Sequence, residues 1–405
     1  MALPYLDIAK PGFSTRSKEV LRARDEGWCA RTPFGLAVLR HRQAGALLRD
    51  RRLRQGSHAW PDTVGLQGSF ASFWKRSVIS QEGDRHRLLR AVALEALSME
   101  LVLSLAPAFS EIASALLDGL VEQDPIDVVA EFTEPFAGQA IALLIGEEPS
   151  DAAAIARDAS TLGLAMGLDA RRHEGRVNSA YDRLAARADA ILLGCDASDD
   201  SFIARLVRAA RSKELNDHQA LGDLVVISIF GGVDTTRAQL AFAAALFAKY
   251  PDHWTWLRNH PDDVPQAIEE VIRARPTTTW ATREALEDFT VDGVRIGRGE
   301  TLHILVHATA TDPATGAEWE FDVTRRRKAH FGFGGGAHHC LGQLVARTDM
   351  ACALRAMLAR WRRIEISGTP RYLPDSGNTS PAQLKIAPTW DRDPEREVNP
   401  ASRRV

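Results

Sequence analysis

Cysteine is scarce in this chain. Its 405 residues hold four, Cys29, Cys195, Cys340 and Cys352, and none form a C-x-x-C pair. That excludes a disulfide framework at this size and fits a reducing compartment. Excess charge is missing too: a net charge of −3 at pH 7 excludes a chain-wide nucleic-acid-binding polyelectrolyte. The N-terminal stretch MALPYLDIAKPGFSTRSKEV has no apolar run long enough for a signal peptide or an anchor. These absences predict a soluble cytoplasmic protein, with neither nucleic acid nor membrane as partner. No repeat and no low-complexity linker divides the chain. One large domain over 1–390 is therefore expected, followed by a solvated tail, DRDPEREVNPASRRV, at 391–405.

What is present is enough for a large core, with 45% hydrophobic residues. Residues 29–40, CARTPFGLAVLR, read as two short strands around the Pro33–Gly35 turn. Helical spacing dominates afterwards: Leu101 to Glu122, Asp151 to Leu164, and Ala180 to Leu193. The longest apolar pattern runs from about Asp217 to Ala248 and is apolar on most faces, so it predicts a buried helix ending at Tyr250-Pro251. Pro265 to Ala274 is a shorter helix. Residues 288–306 alternate and turn at Gly293 and Gly299, as hairpin strands do. Gly342 to Trp361 is helical again. The expected fold is mainly α with a smaller β region and a long central helix.

The stretch FGFGGGAHHCLG, Phe331 to Gly342, carries the most chemistry. A phosphate loop needs Lys-Ser/Thr after the glycines, and none follows. A dinucleotide fingerprint needs an acid about twenty residues on, and it is missing. A structural zinc needs four ligands; His338, His339 and Cys340 are too close together to share one tetrahedron, and no second cluster exists. Two readings remain. One is a glycine-rich loop with a buried cysteine. The other is a thiolate presented at a helix N-terminus, where unpaired N–H groups and the dipole lower a thiol's pKa. Glycines let backbone approach a flat ligand, and such a thiolate can be the axial ligand of haem iron.

The pattern F-x-x-G-x-H-x-C-x-G, read as Phe333, Gly336, His338, Cys340 and Gly342, resembles the haem-binding signature of the cytochrome P450 family. Other motifs of that family occur in order. Gly231-Gly232-Val233-Asp234-Thr235-Thr236 lies inside the long apolar pattern and resembles the oxygen-activating motif. Two glycines inside a helix cost roughly 1 kcal/mol each relative to alanine, which a purely structural helix has little reason to accept. A hydroxyl there can bond back to a carbonyl and bend the helix. The resemblance makes Asp234 and Thr235 the candidate catalytic residues: Thr235 would hold a water or the reduced oxygen, and Asp234 would relay protons. Glu270 and Arg273 resemble the family's E-x-x-R, a buried structural pair. Arg283, His86, Arg90 and His338 resemble its contacts to the two haem propionates, which arginine suits through bidentate bonds.

The resemblance covers nearly the whole chain, with departures. Ala310-Thr311 stand before Asp312-Pro313 where Asn-Arg is common. Glu320 stands where an arginine usually completes a triad with the E-x-x-R pair, and Arg325 is a candidate substitute.

The resemblance implies a haem-thiolate monooxygenase with haem b held through Cys340. It would insert one oxygen atom of O2 into a small or medium apolar substrate: a terpenoid, fatty acid or aromatic. Electrons would come from NAD(P)H through a reductase and a separate ferredoxin or flavodoxin. Arg325, Arg326, Arg327, Lys328 and Arg347 are candidates for the basic surface that meets this acidic carrier. Candidate pocket residues are Phe73, Trp74, Ile227, Gly231 and Thr278. Three rival readings stand against it. A peroxide-driven peroxygenase would tend to lack the Asp234–Thr235 pair. A haem sensor or binding protein would have no use for a proton relay. A zinc-stabilised structural protein fails on ligand count.

Overall fold

A computed structural model describes residues 3–121, 123–316, 320–326, 330–375 and 377–391. Of the expected tail only Asp391 falls among them, and Arg327 and Lys328 of the basic run lie outside the described residues.

The long apolar pattern forms one unbroken helix, His218–Lys249. Asp217 caps it, its side chain accepting from the Ala220 N–H at 3.0 Å. It ends at Tyr250, where Pro251 starts the next helix. Two apolar cores meet along it. Its first half, Ala220 to Val233, joins a core with Phe70, Phe73, Leu144 and Leu206. Its second half, Leu240 to Phe247, joins another with Phe136, Trp254, Met357 and Trp361. Between them lies a buried polar segment containing Asp234, Thr236, Arg237 and Gln239. Buried polar groups must find partners. Gln239 finds the Arg275 carbonyl at 2.9 Å; the others are described below.

The expected strands form at residues 29–32 and 35–38, and a later hairpin at 289–291 and 294–296 turns at Gly293. The strand 301–305 after Gly299 forms no hairpin with 294–296; it pairs with 280–285 and 35–38, where the larger sheet buries it. The largest sheet runs, edge to edge, Cys29–Thr32, Gly35–Val38, Thr301–Leu305, Trp280–Ala285 and Leu53–Gln55. Gly35–Val38 and Thr301–Leu305 are parallel, the other neighbours antiparallel. Register places Gln55 opposite Arg283. A second sheet joins Ile126–Asp127, Lys385–Trp390 and Trp361–Ile366. The result is mainly helical with small β regions.

The helix Met99–Asp118 is long and apolar enough to cross a membrane by composition alone. Here it lies along the helix Gln343–Arg360, with Cys352 Sγ donating to the Ala106 carbonyl at 3.4 Å. The Gln343 helix in turn packs against the long helix, which brings the loop 331–342 and the Gly231–Thr236 motif to the same region.

Candidate functional site

The loop is shaped by its backbone. Gly334 and Gly336 both have φ of +67°, which L side chains rarely adopt. A Cβ on Gly336 would lie 2.1 Å from the Leu48 carbonyl oxygen, so only glycine fits. Cys340 N–H donates to the Phe333 carbonyl at 2.9 Å, closing the loop two residues before the Gly342 cap. The Cys340 residue is exposed, yet burial pushes its thiol pKa up. Both hold for a side chain that opens onto a hollow walled by protein. A hydrogen bond from the Gly342 N–H, with Arg90 and Arg347 nearby, pulls the other way and does not prevail. The pKa lowering expected from the helix end is thus outweighed by desolvation.

Basic and aromatic side chains gather on this loop. Arg283 donates to Gln55 Oε1 at 2.8 Å and to the Gly335 carbonyl at 2.9 Å. Arg90 donates to the His339 carbonyl at 2.8 Å. His86 and His338 stack with ring centroids 4.0 Å apart. Burial, then the charges of His338 and Arg90, bring the His86 pKa down to about 4. Its Nε2 is buried without a hydrogen-bond partner among the described residues. His338 Nε2 lies 3.1 Å from Glu82 Oε1. All four residues named from the sequence therefore meet at the loop. Sequence reasoning missed Gln55 and Glu82. Glu82 stands four residues before His86 and was within reach of a helical-spacing argument; Gln55 arrives through sheet register, which no local signal gives.

Midway along the long helix, exposure returns among buried residues. Ile227, Gly231 and Thr235, each four residues apart and so on one face, retain it, as do Ser228 and Gly232 beside them. Thr235 Oγ1 donates back to the Gly231 carbonyl at 2.5 Å, the back-bond expected of this motif. The two glycines have different reasons. A Cβ on Gly231 would meet nothing within 4 Å, whereas one on Gly232 would lie 2.2 Å from Ile141 Cδ1. Gly231 faces the hollow; Gly232 lets the helix Glu134–Ile145 come close.

Asp234 points elsewhere. Its Oδ1 accepts from Arg237 at 2.9 Å and its Oδ2 from Asn378 Nδ2 at 3.3 Å. Thr236 Oγ1 lies 3.2 Å from Asp349 Oδ2, on the helix that follows Cys340. Burial raises the Asp349 pKa well above the carboxylate range. Asp349 and Asn378 were not singled out in the sequence.

The E-x-x-R pair is fully buried, Arg273 Nε donating to Glu270 Oε2 at 2.6 Å. Main-chain groups of residues 320–322 meet both members of it. Arg273 donates to the Glu320 backbone carbonyl at 2.8 Å, and Glu270 Oε1 accepts from the Asp322 N–H at 2.8 Å. Main chain thus takes up the pair, and Arg325 pairs with Asp322 at 3.0 Å. Of the pocket candidates, Ile227, Gly231 and Thr278 keep exposure. Phe73 and Trp74 do not: Phe73 stacks on Tyr181, and Trp74 Nε1 donates to the Ser57 carbonyl at 2.9 Å. Thr277 and Thr279 hydroxyls bond to the Thr379 and Gly377 carbonyls, each at 2.8 Å, leaving Thr278 as the side chain turned toward Asn378.

The fold superposes on the crystal structure of CalO2 with a TM-score of 0.83 at 25% identity, covering 93% of this chain and 98% of that one. The family model Cytochrome P450 matches residues 262–385, the segment holding the E-x-x-R pair, Arg283 and the Cys340 loop. Luteothin monooxygenase of Streptomyces thioluteus is 34% identical over 395 residues, 95% of this chain and 96% of that protein. The chain belongs to the cytochrome P450 family. It is a P450 monooxygenase of the kind found in bacteria. Mycinamicin IV hydroxylase/epoxidase of Micromonospora griseorubida, a second P450 relative, is 28% identical over 366 residues, 89% of this chain and 90% of that protein.

Proposed function

We propose that this P450 inserts one oxygen atom of O2 into a small or medium apolar substrate, a terpenoid, fatty acid or aromatic, in the cytoplasm. The observation that carries the reading is the exposed face Ile227–Gly231–Thr235 midway along a mostly buried helix, together with a glycine-shaped loop that presents Cys340. The names of the relatives concern different compounds, luteothin and mycinamicin IV, so they support the reaction class and leave the substrate open.

The residues fit a haem. A thiol opens onto the hollow, His86 has a buried nitrogen without partner, and Arg90, Arg283 and His338 stand on the same loop. Cys340 would ligate the iron, and the four basic side chains would hold the propionates. A haem b bound there would supply the oxygen chemistry of the reaction. The chain's own residues do the rest. Thr235 holds a hydroxyl and a water on the hollow's wall, Asp234 passes protons inward, and Ile227, Gly231 and Thr278 shape the space for an apolar substrate.

Electrons would arrive from a separate ferredoxin or flavodoxin and its NAD(P)H-dependent reductase. A cleft of about 740 Å³ lies on the far side of the loop, lined in part by Arg325, Arg326, Arg347 and Arg355. Arg347 sits 4.3 Å over the Phe333 ring, and Phe333 accepts the Cys340 N–H. An acidic carrier bound there would rest close to the thiolate.

The test is the spectrum of the reduced protein under carbon monoxide, followed by product analysis with a surrogate ferredoxin and reductase. A strongly red-shifted Soret band and an oxygenated product support the reading. Turnover that runs only on added hydrogen peroxide would favour the peroxygenase alternative, and haem without turnover a sensor.

A further inference from the structure

We propose that Asn378 is a positioning residue that ties the substrate-facing Thr278 to the proton-relay acid Asp234, so that proton delivery depends on what fills the pocket. The proposal rests on the monooxygenase reading above.

Asn378 lies on a turn held tightly in place. Thr379 N–H donates to the Thr277 carbonyl and Thr279 N–H to the Gly377 carbonyl, both at 2.7 Å. Gly377 has a φ of +79°, and a Cβ there would lie 2.5 Å from the Met166 carbonyl oxygen. The backbone of this turn is therefore committed, and the Asn378 side chain crosses to the long helix. Its two bonds set its orientation. The amide nitrogen faces the Asp234 carboxylate, at 3.3 Å from Oδ2. The amide oxygen is then left for the Thr278 hydroxyl, which donates to it at 3.3 Å. Arg237 occupies the other carboxylate oxygen at 2.9 Å and reaches Ser380 Oγ at 3.4 Å.

The chain Thr278–Asn378–Asp234–Arg237 thus has one fixed end and one adjustable end. Arg237 is buried on the same helix as Asp234 and cannot swing away. Thr278 keeps partial exposure, and its hydroxyl can turn to a substrate oxygen or be displaced by bulk. Either event takes the donor from the Asn378 oxygen and frees the amide to rotate, which alters how Asp234 is held. The consequence is a choice of product. With two electrons and two protons, O2 leaves either as hydrogen peroxide or, with substrate, as one product oxygen plus one water. The totals are the same; where the second proton lands decides.

The test uses the holoenzyme with a plant-type ferredoxin and its reductase, in Asn378→Leu, Asn378→Asp and Thr278→Val. Four quantities are read: peroxide formed per NADPH consumed, the solvent deuterium isotope effect on NADPH consumption, melting temperature, and the dissociation constant of 4-phenylimidazole from ferric-haem absorption. Asn378→Leu removes both hydrogen bonds at similar size; Asn378→Asp sets a second carboxylate against Asp234. In Asn378→Leu, the peroxide share should rise at least about twofold and the isotope effect should grow, while melting and 4-phenylimidazole binding stay near wild type. Asn378→Asp should move both further. Thr278→Val should act in the same direction, and the double variant Thr278→Val/Asn378→Leu should add little, as members of one network do. Unchanged peroxide share and isotope effect across these variants, or fully additive effects, would overturn the link and leave the monooxygenase reading standing. A wild-type holoenzyme that consumes no NADPH in air would overturn that reading and the link with it.

Discussion

The loop Phe331–Gly342 and the helix segment Gly231–Gln239 are held by opposite means. In the loop, main chain is the anchor: Phe333 takes the Cys340 N–H, Gly335 takes Arg283, and His339 takes Arg90. Its side chains are left to face inward. In the helix segment, main-chain groups are already engaged in the helix, and Thr235 even adds a second donor to the Gly231 carbonyl. Its polar side chains must satisfy one another or reach distant elements: Asp234 with Arg237 and Asn378, Thr236 with Asp349. The lesson is that the cysteine loop is held by its main chain, whereas the helix segment's network is made of replaceable side chains and is the natural place for tuning.

This contrast yields predictions, from the largest effect to the smallest. Cys340→Ala should abolish the thiolate-type spectrum altogether while the loop, anchored by backbone, keeps its shape. An unchanged carbon monoxide spectrum would remove Cys340 as ligand. Glu270→Gln strands Arg273 in a site where both side chains are 1% exposed, and should cost about 3–5 kcal/mol in chemical denaturation. A loss under 1 kcal/mol would show that Arg273 is held well enough without the Glu270 charge, the Glu320 carbonyl among its acceptors. Gly336→Ala tests the claim that the loop tolerates side-chain change but no Cβ at this point; a loss of about 1–3 kcal/mol and weaker haem retention are expected. On the helix side, Thr235→Ala should leave the fold and substrate binding intact and lower product per NADPH by about tenfold, with peroxide making up the difference. Coupling equal to wild type would take Thr235 out of the relay.

The smallest effect concerns pH. Burial holds His86 and His303 at about 4, below the ordinary 6.5, so both rings stay neutral in the folded protein. Between pH 6.5 and about 4 the unfolded chain binds protons that these folded rings refuse, and stability falls as pH falls. In apo-protein, His86→Gln should flatten that slope modestly in urea melts taken across the window; an unaltered slope would show that His86 takes up its proton alike in the folded and unfolded chain.

The sequence by itself determined the local machinery. The loop signature, the back-bonding threonine beside its glycines and the E-x-x-R spacing are all written within a few residues of one another, where turn chemistry and helical period act directly. From them the family, the mainly helical fold and the candidate ligand followed. Tertiary structure alone decided the partners. Gln55 meets Arg283 through strand register, Arg273 settles on a Glu320 carbonyl where a side chain was sought, and Asn378 reaches Asp234 across 144 residues. It also sent Phe73 and Trp74 into the core while keeping Thr278 partly open. The physical reason is range. Propensity and spacing act within a few residues, whereas which buried donor meets which acceptor depends on how whole elements pack, and only the folded chain brings those groups within hydrogen-bonding distance.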